Sequence, residues 1–249
     1  MRNELPRLYS KYAEWFHLLT GPEEYAEEAN VFATMLADLV SPAPRTVLEL
    51  GSGGGNNASH MKAHFELTLT DISPEMLAVS CSINPECEHV LGDMRELRLG
   101  RMFDAVFAHD ALDYLLTLDD LAKMAETARV HCRPGGVVLL APDCVRETFR
   151  PATEHGGHDS PTRGLRYLEW SWDPDPLDQS YISEMVYVMR DAKGPVQVEH
   201  EQHVLGLFNR SDWLEAMSVA GFEANCMPYD LSGVEPGTLE AFMGIRPPS

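Results

Sequence analysis

Apolar positions along this chain follow two periods, and each marks a different kind of element. Between residues 22 and 39, Val31, Phe32, Met35, Leu36 and Leu39 recur at helical spacing behind Pro22 and the acids of "EEYAEE". That pattern predicts a helix with proline and negative charge in its first turn, ending before "SPAP". Short apolar runs then alternate with helical patterns: "TVLEL" (46–50), "ELTLT" (66–70), "EHVLG" (88–92), "FDAVFAH" (103–109) and "GVVLLAP" (136–142). Such alternation predicts βαβ units wound with right-handed crossovers on one parallel sheet.

After Cys144 the period becomes two. The stretches "LRYLEWSW", "YISEMVYVMR" and "VQVEHEQHVLGLF" alternate residue by residue, the last two joined by the turn "DAKGP", and predict an antiparallel unit. A helix is expected from Ser211 as N-cap through Trp213, Leu214, Met217 and Ala220 to Gly221, followed by strands in "FEANCMPY" and "TLEAFMGI". The predicted class is α/β, a Rossmann-like core with an antiparallel β cap inserted after the fifth strand. Residues 1–40 are expected as N-terminal lid helices, 41–144 and 208–249 as the core, and 145–207 as the cap.

Composition narrows the compartment and the partners. In 249 residues with 44% hydrophobic and 23% charged positions, no apolar run approaches the roughly 20 residues that span a bilayer. The start "MRNELPRLYS" shows no secretory pattern, so a cytoplasmic location is expected. Five cysteines (Cys81, Cys87, Cys132, Cys144, Cys226) stand without a C-x-x-C pair, which predicts reduced thiols rather than disulfides or structural zinc. With 19 basic and 39 acidic residues the net charge is −20, which disfavours nucleic acid and anionic membranes and points to a small-molecule partner, with a homodimer as the protein partner considered.

The turn "ELGSGGG" (49–55) directly follows the first strand, where strand ends and a helix N-terminus converge on ligands in wound sheets. A dinucleotide fingerprint requires a third glycine where Asn56 stands, so the pyrophosphate pattern fails. Glu49 precedes the first glycine, a placement suited to a cationic ligand. A tight turn without a ligand is the plain alternative. Asp71, about 20 residues beyond Gly51, ends the second strand where a carboxylate can accept ribose hydroxyls. "GDM" (92–94) after the third strand offers Asp93 to an exocyclic amine and Met94 to a purine face. Nucleoside plus cation, without phosphate, describes S-adenosylmethionine.

"VLELGSGGG", "LTDISPEML", "GDMREL", "FDAVFAHDALDYL" and "CRPGGVVLL" together resemble the class I S-adenosylmethionine-dependent methyltransferases over roughly residues 45 to 141. The resemblance implies a seven-stranded sheet ending in an antiparallel hairpin. It implies that Glu49, Gly51, Gly53 and Asn56 face the methionine side of the donor, Asp71 its ribose, and Ile72, Asp93 and Met94 its adenine, while His109 and Asp110 face the sulfonium. More loosely, the N-terminal tyrosines, "RETF" and "LGLFNRSDWLEAMSVAGF" resemble small-molecule N-methyltransferases that dimethylate nucleotide-linked amino sugars. An O-methyltransferase, a fold that binds nucleoside without catalysis, and a disfavoured nicotinamide dehydrogenase are the competing readings.

Each remaining candidate has a structural alternative. Tyr9, Tyr12 and Trp15 suit a lid; Tyr12 matches the family's N-terminal tyrosine and is a catalytic candidate, whereas Trp15 is read as packing. His109, Asp110, Asp113 and Tyr114 follow the fourth strand. His109 is expected as a neutral base for an amine acceptor, with Asp110 or Asp113 orienting the amine, and Asp113 is otherwise a helix cap. "EHGGHD" (154–159) invites a metal, but its glycines make a loose loop and no metal site is expected. His200 and His203 face opposite sides of a strand. Trp170 and Trp172 share a face with Arg166, as core or as acceptor lining. Arg146, Arg150, Arg163 and Arg166 are the candidates to cradle a pyrophosphate.

Overall fold

The computed structural model describes residues 5–248; residues 1–4 of the expected lid, and Ser249, lie outside the described residues. Two 3₁₀ turns, Arg7–Tyr9 and Ala13–Trp15, lead into the short helix α1 (Phe16–Leu19). A further 3₁₀ turn at Pro22–Tyr25 feeds α2 (Ala26–Asp38), so the expected helix begins one turn later as α than its proline suggested. Then follow β1 (Thr46–Leu50), α3 (Asn56–Met61), β2 (Glu66–Asp71), α4 (Pro74–Ile83), β3 (Glu88–Leu91), β4 (Phe103–His109), a 3₁₀ turn (Asp110–Tyr114), α5 (Leu118–His131) and β5 (Cys132–Ala141). An insertion of four strands comes next: β6 (Ala152–Gly156), β7 (Arg163–Trp172), β8 (Ser180–Asp191) and β9 (Gln197–Gly206). The chain returns through α6 (Arg210–Val219) to β10 (Glu223–Tyr229) and β11 (Leu239–Ile245).

The main sheet has the order β3-β2-β1-β4-β5-β11-β10, with β1 to β5 parallel and β11 antiparallel to both neighbours. Alternation along the strands sorts side chains into two layers. Leu48, Leu50, Val106, Ala108, Val138, Leu140 and Phe242 pack with Leu121 and Met124 of α5 and Trp213 and Met217 of α6. Val47, Leu69, Phe107, Leu139 and Met243 pack with Phe32 and Leu36 of α2. Continuing that second row, Glu49 extends β1 beyond Val47 and His109 extends β4 beyond Phe107, so both polar residues lie on the α2 side at the strands' C-terminal ends. Trp213 stacks on Phe242 at 5.4 Å between centroids, fixing α6 to the closing hairpin.

The insertion forms its own antiparallel sheet, ordered β6-β7-β8-β9. Leu165, Met185, Tyr187 and Met189 of its inner face bury against Leu8, Tyr12 and Trp15. "EHGGHD" departs from the expected loop: its first three residues lie in β6, paired to β7. The α6 cap also differs from expectation. Asn209, two residues before Ser211, is the N-cap, in a capping box with Asp212, while Gly221 ends the helix region at φ +93° as expected. All five cysteines are free thiols.

Candidate active site

The glycine turn is held by the neighbouring strand and by Asp71. Gly51 and Ser52 both donate to Thr70 O at 2.8 Å, and Gly53 N donates to Asp71 Oδ2 at 2.9 Å. Asp71 Oδ1 accepts from Ser73 N at 2.8 Å, and Ser73 Oγ in turn accepts from Met76 N as the N-cap of α4. Burial raises the Asp71 carboxyl above its ordinary value, against the pull of the Ser73 and Gly53 amides. Much of the glycine requirement comes from the chain itself. A Cβ at Gly51, whose φ is +75°, would stand 2.4 Å from Ala111 Cβ and 2.9 Å from Met94 Cε; one at Gly54 would strike Phe16. Gly53 differs, with its nearest such atom 3.8 Å away at Met76, so its backbone is the open one.

Four side-chain atoms around this turn are buried without a hydrogen-bond partner in the chain: Glu49 Oε2, Ser52 Oγ, Asn56 Oδ1 and Asn57 Oδ1. Three of them can only accept. Buried acceptors left unpaired cost about 1–3 kcal/mol each, so the set fits a ligand rich in donors, as the α-ammonium of S-adenosylmethionine is. Burial pushes Glu49 up to about 8. Further along the expected donor site, Ile72 is exposed. Asp93 is engaged by Arg95, which chelates it through Nε and Nη2 and reaches on to Asp120 at 3.0 Å. The carboxylate expected to meet an exocyclic amine is therefore already half of an ion pair.

At the ends of β4 and β5 the structure assembles an acid cluster around His109. Its Nδ1 lies 2.6 Å from Ala141 O, and its Nε2 lies 3.1 Å from Glu28 Oε1 and 2.7 Å from Asp110 Oδ1. A carbonyl and two carboxylates only accept, so both ring nitrogens donate and the ring is an imidazolium. Burial opposes that charge, yet Asp110 and Glu28 outweigh it and hold His109 well above the ordinary histidine value. The neutral base expected at His109 is thus corrected: the ring has no lone pair to offer. Asp110 sits at φ +22°, rare for a side-chain-bearing residue, with its side chain half-exposed. Burial works against its ionisation, but the His109 charge keeps it low.

His109, Asp110 and Asp143 offer atoms that all lie within 4.8 Å of one another, an arrangement able to bracket a cation. Burial, with Asp113 and Asp110 close by, raises the Asp143 carboxyl well above its ordinary value, while Asp110 stays ionised; since the imidazolium cannot ligate, the chemistry suits an amine held by Asp110 with Asp143 beside it rather than a metal. Asp113 lies beneath, accepting from Tyr181 Oη at 2.9 Å and from Asp143 N at 3.3 Å; burial pushes it up to about 7. It therefore supports the site from below instead of capping a helix. Asp143 and Glu28 escaped the sequence reading. Asp143 follows β5 as Asp110 follows β4, so its strand-end position was the available signal; Glu28 stands in the first turn of α2, where the acids of "EEYAEE" were read only as charge suited to a helix start.

The N-terminal tyrosines exchange the places expected of them. Tyr12 is buried in the apolar cluster of the insertion sheet and donates to Glu199 Oε1 at 2.5 Å, which takes it out of the reacting site. Tyr9 instead meets Tyr114 edge-on at 5.8 Å and His203 at 6.1 Å, and its backbone carbonyl accepts from Ser73 Oγ at 2.5 Å. Burial raises its hydroxyl above the usual range, with Asp110 and Asp143 adding to the shift. Trp15 packs in the core beneath Arg163, as expected.

His200 and His203 point to opposite faces, one exposed and one buried. His158 pairs with Glu24 at 2.7 Å, away from His155. Trp170 and Trp172 lie 4.6 Å apart on the outer face of the insertion sheet, opposite the face that carries Tyr187 and His203, so neither expected role for them holds. The arginines do not converge either: Arg146 binds Asp173 and the carbonyls of Pro176, Asp178 and Leu207, Arg163 binds Glu14 and Asp191, and Arg166 binds Asp159. Arg150 is exposed beside the insertion.

Comparison with known proteins agrees with this architecture. Residues 47–136 match the model of a methyltransferase domain. The chain is 27% identical over 220 residues, covering 88% of it and 91% of the relative, to the dTDP-3-amino-3,4,6-trideoxy-α-D-glucopyranose N,N-dimethyltransferase of Streptomyces venezuelae. Among solved structures, DesVI of Streptomyces venezuelae superposes with a TM-score of 0.81 at 24% identity, over 99% of this chain and 100% of that one. The sugar N-methyltransferase KedS8 of Streptoalloteichus superposes at 0.78 with 26% identity, over 94% and 92%. No helix among the described residues is long and apolar enough to cross a membrane. With the wound sheet, the donor-hungry glycine turn and the matched domain in agreement, the chain carries a methyltransferase domain and is similar to amino-sugar N,N-dimethyltransferases that use S-adenosylmethionine.

Proposed function

We propose that this enzyme methylates the amino group of a sugar or sugar-like metabolite. The observation that carries the reading is the cluster of Asp110 and Asp143 around the His109 imidazolium at the ends of β4 and β5. Glu49, Gly51, Gly53, Asn56 and Asp71 hold the donor, Ile72, Asp93 and Met94 border its adenine, and the donor supplies an electrophilic methyl on a sulfonium. The chain's own work is alignment: Asp110 and Asp143 orient the amine, His109 fixes Asp110, and the aromatic wall of Tyr9 and Tyr114 excludes water. Residues up to 40 act as the lid, 41–144 and 208–249 as the donor-binding core, and 145–207 as the cover of the acceptor.

The relatives named for dTDP-linked amino sugars make a nucleotide-linked acceptor the first choice. The commitment of Arg146, Arg163 and Arg166 to other partners favours a second choice, an amine not carried on a pyrophosphate. Transfer of labelled methyl to a panel of dTDP-amino sugars, free amino sugars and hydroxylated analogues decides between them: transfer to the nucleotide-linked set alone supports the first, to free amines the second, and transfer only to hydroxyls removes the amine reading.

We also propose a cytoplasmic homodimer with no nucleic-acid or membrane partner. Its basis is the outer face of the insertion sheet, where Leu168, Trp170, Val188, Val198 and Val204 are exposed beside charges of both signs, Arg166, Arg190 and Glu184, which a twofold axis can pair.

A further inference from the structure

We propose that Tyr114, His203 and Glu201 form a proton relay that leads the acceptor's amine proton out of the reacting site; the inference rests on the amine acceptor proposed above. An amine attacks only through a free lone pair, and at neutral pH most aliphatic amines carry an extra proton. Each transfer to nitrogen also leaves a proton on a cationic product that must depart before a second methyl can be accepted. The groups that hold the amine are poor takers: His109 is already an imidazolium, and the Asp110 carboxylate, held low by that charge, is a weak base.

The alternative lies on the other side of Tyr9. Tyr9 lies edge-on against both Tyr114 and His203, and Tyr114 Oη lies 2.7 Å from His203 Nδ1. On the far edge of the ring, buried His203 Nε2 lies 3.3 Å from Glu201 Oε1, an ion-pair distance, and makes no hydrogen bond among the described residues. Glu201 accepts from the amides of Arg7 at 2.8 Å and Leu8 at 3.3 Å. Burial raises its carboxyl, but His203 and those amides outweigh burial and keep it ionised down to about 2. An anion beside Nε2 selects the tautomer with its proton there, which leaves the Nδ1 lone pair facing the Tyr114 hydroxyl. This is the logic of an oriented imidazole with a hydroxyl on one side and a carboxylate on the other. The further charges that bear on His203 are Glu184 of the adjacent strand and the phenols of Tyr9 and Tyr114.

The step balances without electron transfer. One N–H bond of the acceptor ammonium breaks and its proton passes to the Tyr114 oxygen as the Tyr114 proton passes to His203 Nδ1. The nitrogen keeps the electron pair that forms its new bond to carbon, and His203 becomes an imidazolium against the Glu201 carboxylate. Glu201 also anchors Arg7 and Leu8, so the carboxylate that orients the relay fastens the segment that carries Tyr9.

The test uses the full chain with S-adenosylmethionine and, as probe, dTDP-3-amino-3,6-dideoxy-α-D-glucopyranose, the sugar named in the Streptomyces fradiae relative. Rates of wild type, His203→Gln, Glu201→Gln and Tyr114→Phe are followed from pH 6 to 9, with donor affinity by calorimetry as the check on folding. The expected result is a loss of about 100-fold in kcat/KM at pH 6.5 in His203→Gln, shrinking toward wild type at pH 9 as free amine becomes abundant, with donor affinity unchanged. If His203→Gln does not fold, Tyr114→Phe, which keeps the ring, must show the same pH-dependent loss. Nitrogen-15 NMR of the wild type is expected to show the Nε2–H tautomer at His203. A variant profile parallel to wild type, or the Nδ1–H tautomer, overturns the relay and leaves the amine reading standing. Absence of wild-type transfer to this or any other amine overturns both.

Discussion

His109 Nε2 stands 3.1 Å from Glu28 Oε1, a nearly water-free contact that joins the C-terminal end of β4 to the first turn of α2. The carboxylate sits where a helix favours negative charge, and the ring sits where the second side-chain layer of the sheet runs out. Glu28 also accepts from Asn57 Nδ2 at 2.9 Å, so α3, whose start follows the glycine turn, is tied to the same pair.

Glu28→Gln should therefore cost stability in a pH-dependent way. His109 is raised in the folded protein above its ordinary value of 6.5, so its contribution is fully present below 6.5 and is lost as pH rises through the raised folded value. The variant should lose about 1–3 kcal/mol at pH 6 and less at pH 10. Urea unfolding at the two pH values checks this; an equal deficit at both would show that the contact is packing alone.

Glu49 titrates in the same direction for the opposite reason. Its carboxyl is raised from 4.5 to about 8 by burial, so the folded state favours the protonated form, and that stability is present below 4.5 and lost as pH climbs through about 8. Glu49→Gln mimics the protonated acid. Without donor it should match wild type at pH 4.5 and exceed it at pH 8.5 by about 2 kcal/mol, which moves Tm by about 6 °C. It should bind S-adenosylmethionine at least about tenfold more weakly, as read by calorimetry.

The two tyrosines should separate cleanly. Tyr9→Phe removes the hydroxyl beside the acid cluster and should lower kcat/KM about tenfold with donor affinity intact. Tyr12→Phe removes the bond to Glu199 and the one accepted from Lys11, both away from the acid cluster, costing about 1–2 kcal/mol of stability with turnover within about twofold. Reversed phenotypes in a paired kinetic and melting comparison would return the catalytic role to Tyr12.

Two glycines with similar backbones make an internal control. Gly51 and Gly100 have φ of +75° and +69°, but only at Gly51 would a Cβ meet a neighbour. Gly100→Ala should cost about 1–2 kcal/mol, the backbone term alone, while Gly51→Ala should cost at least about 1 kcal/mol more. Equal melting temperatures for the two variants would mean that the Asp110–Tyr114 turn yields to the added methyl.

Trp170→Glu tests the outer sheet face. Light scattering of the eluting protein should give a dimer for wild type and a monomer for the variant at micromolar concentration, with the circular dichroism of both alike. A wild-type monomer at that concentration rules out the assembly.

The order of elements was legible because each strand of the main sheet is a short apolar run bounded by turn residues, as in "TVLEL" before "GSGGG". The glycine turn and Asp71 were legible for the same reason: they sit at strand ends whose spacing is set by the βαβ repeat. The acceptor side was not, because it is built by approach across long separations. Tyr9 reaches Tyr114 and His203 only once the N-terminal turns dock on β9, and Glu28 meets His109 only through the packing of α2. Local cues also misled. Ser211 has the chemistry of a cap, but Asn209 has the extended backbone and the Asp212 partner that the cap geometry requires.

The insertion sheet enters the chain once, after β5, and leaves once, before α6, while the methyltransferase match at residues 47–136 lies wholly ahead of it. On the proposed reading, recognition of the methyl donor and enclosure of the acceptor are encoded in separate stretches of the chain. Substitutions between β6 and β9 can accumulate without disturbing the glycine turn or Asp71, so lineages carrying this scaffold can diverge in what they methylate while inheriting an unchanged way of holding the methyl.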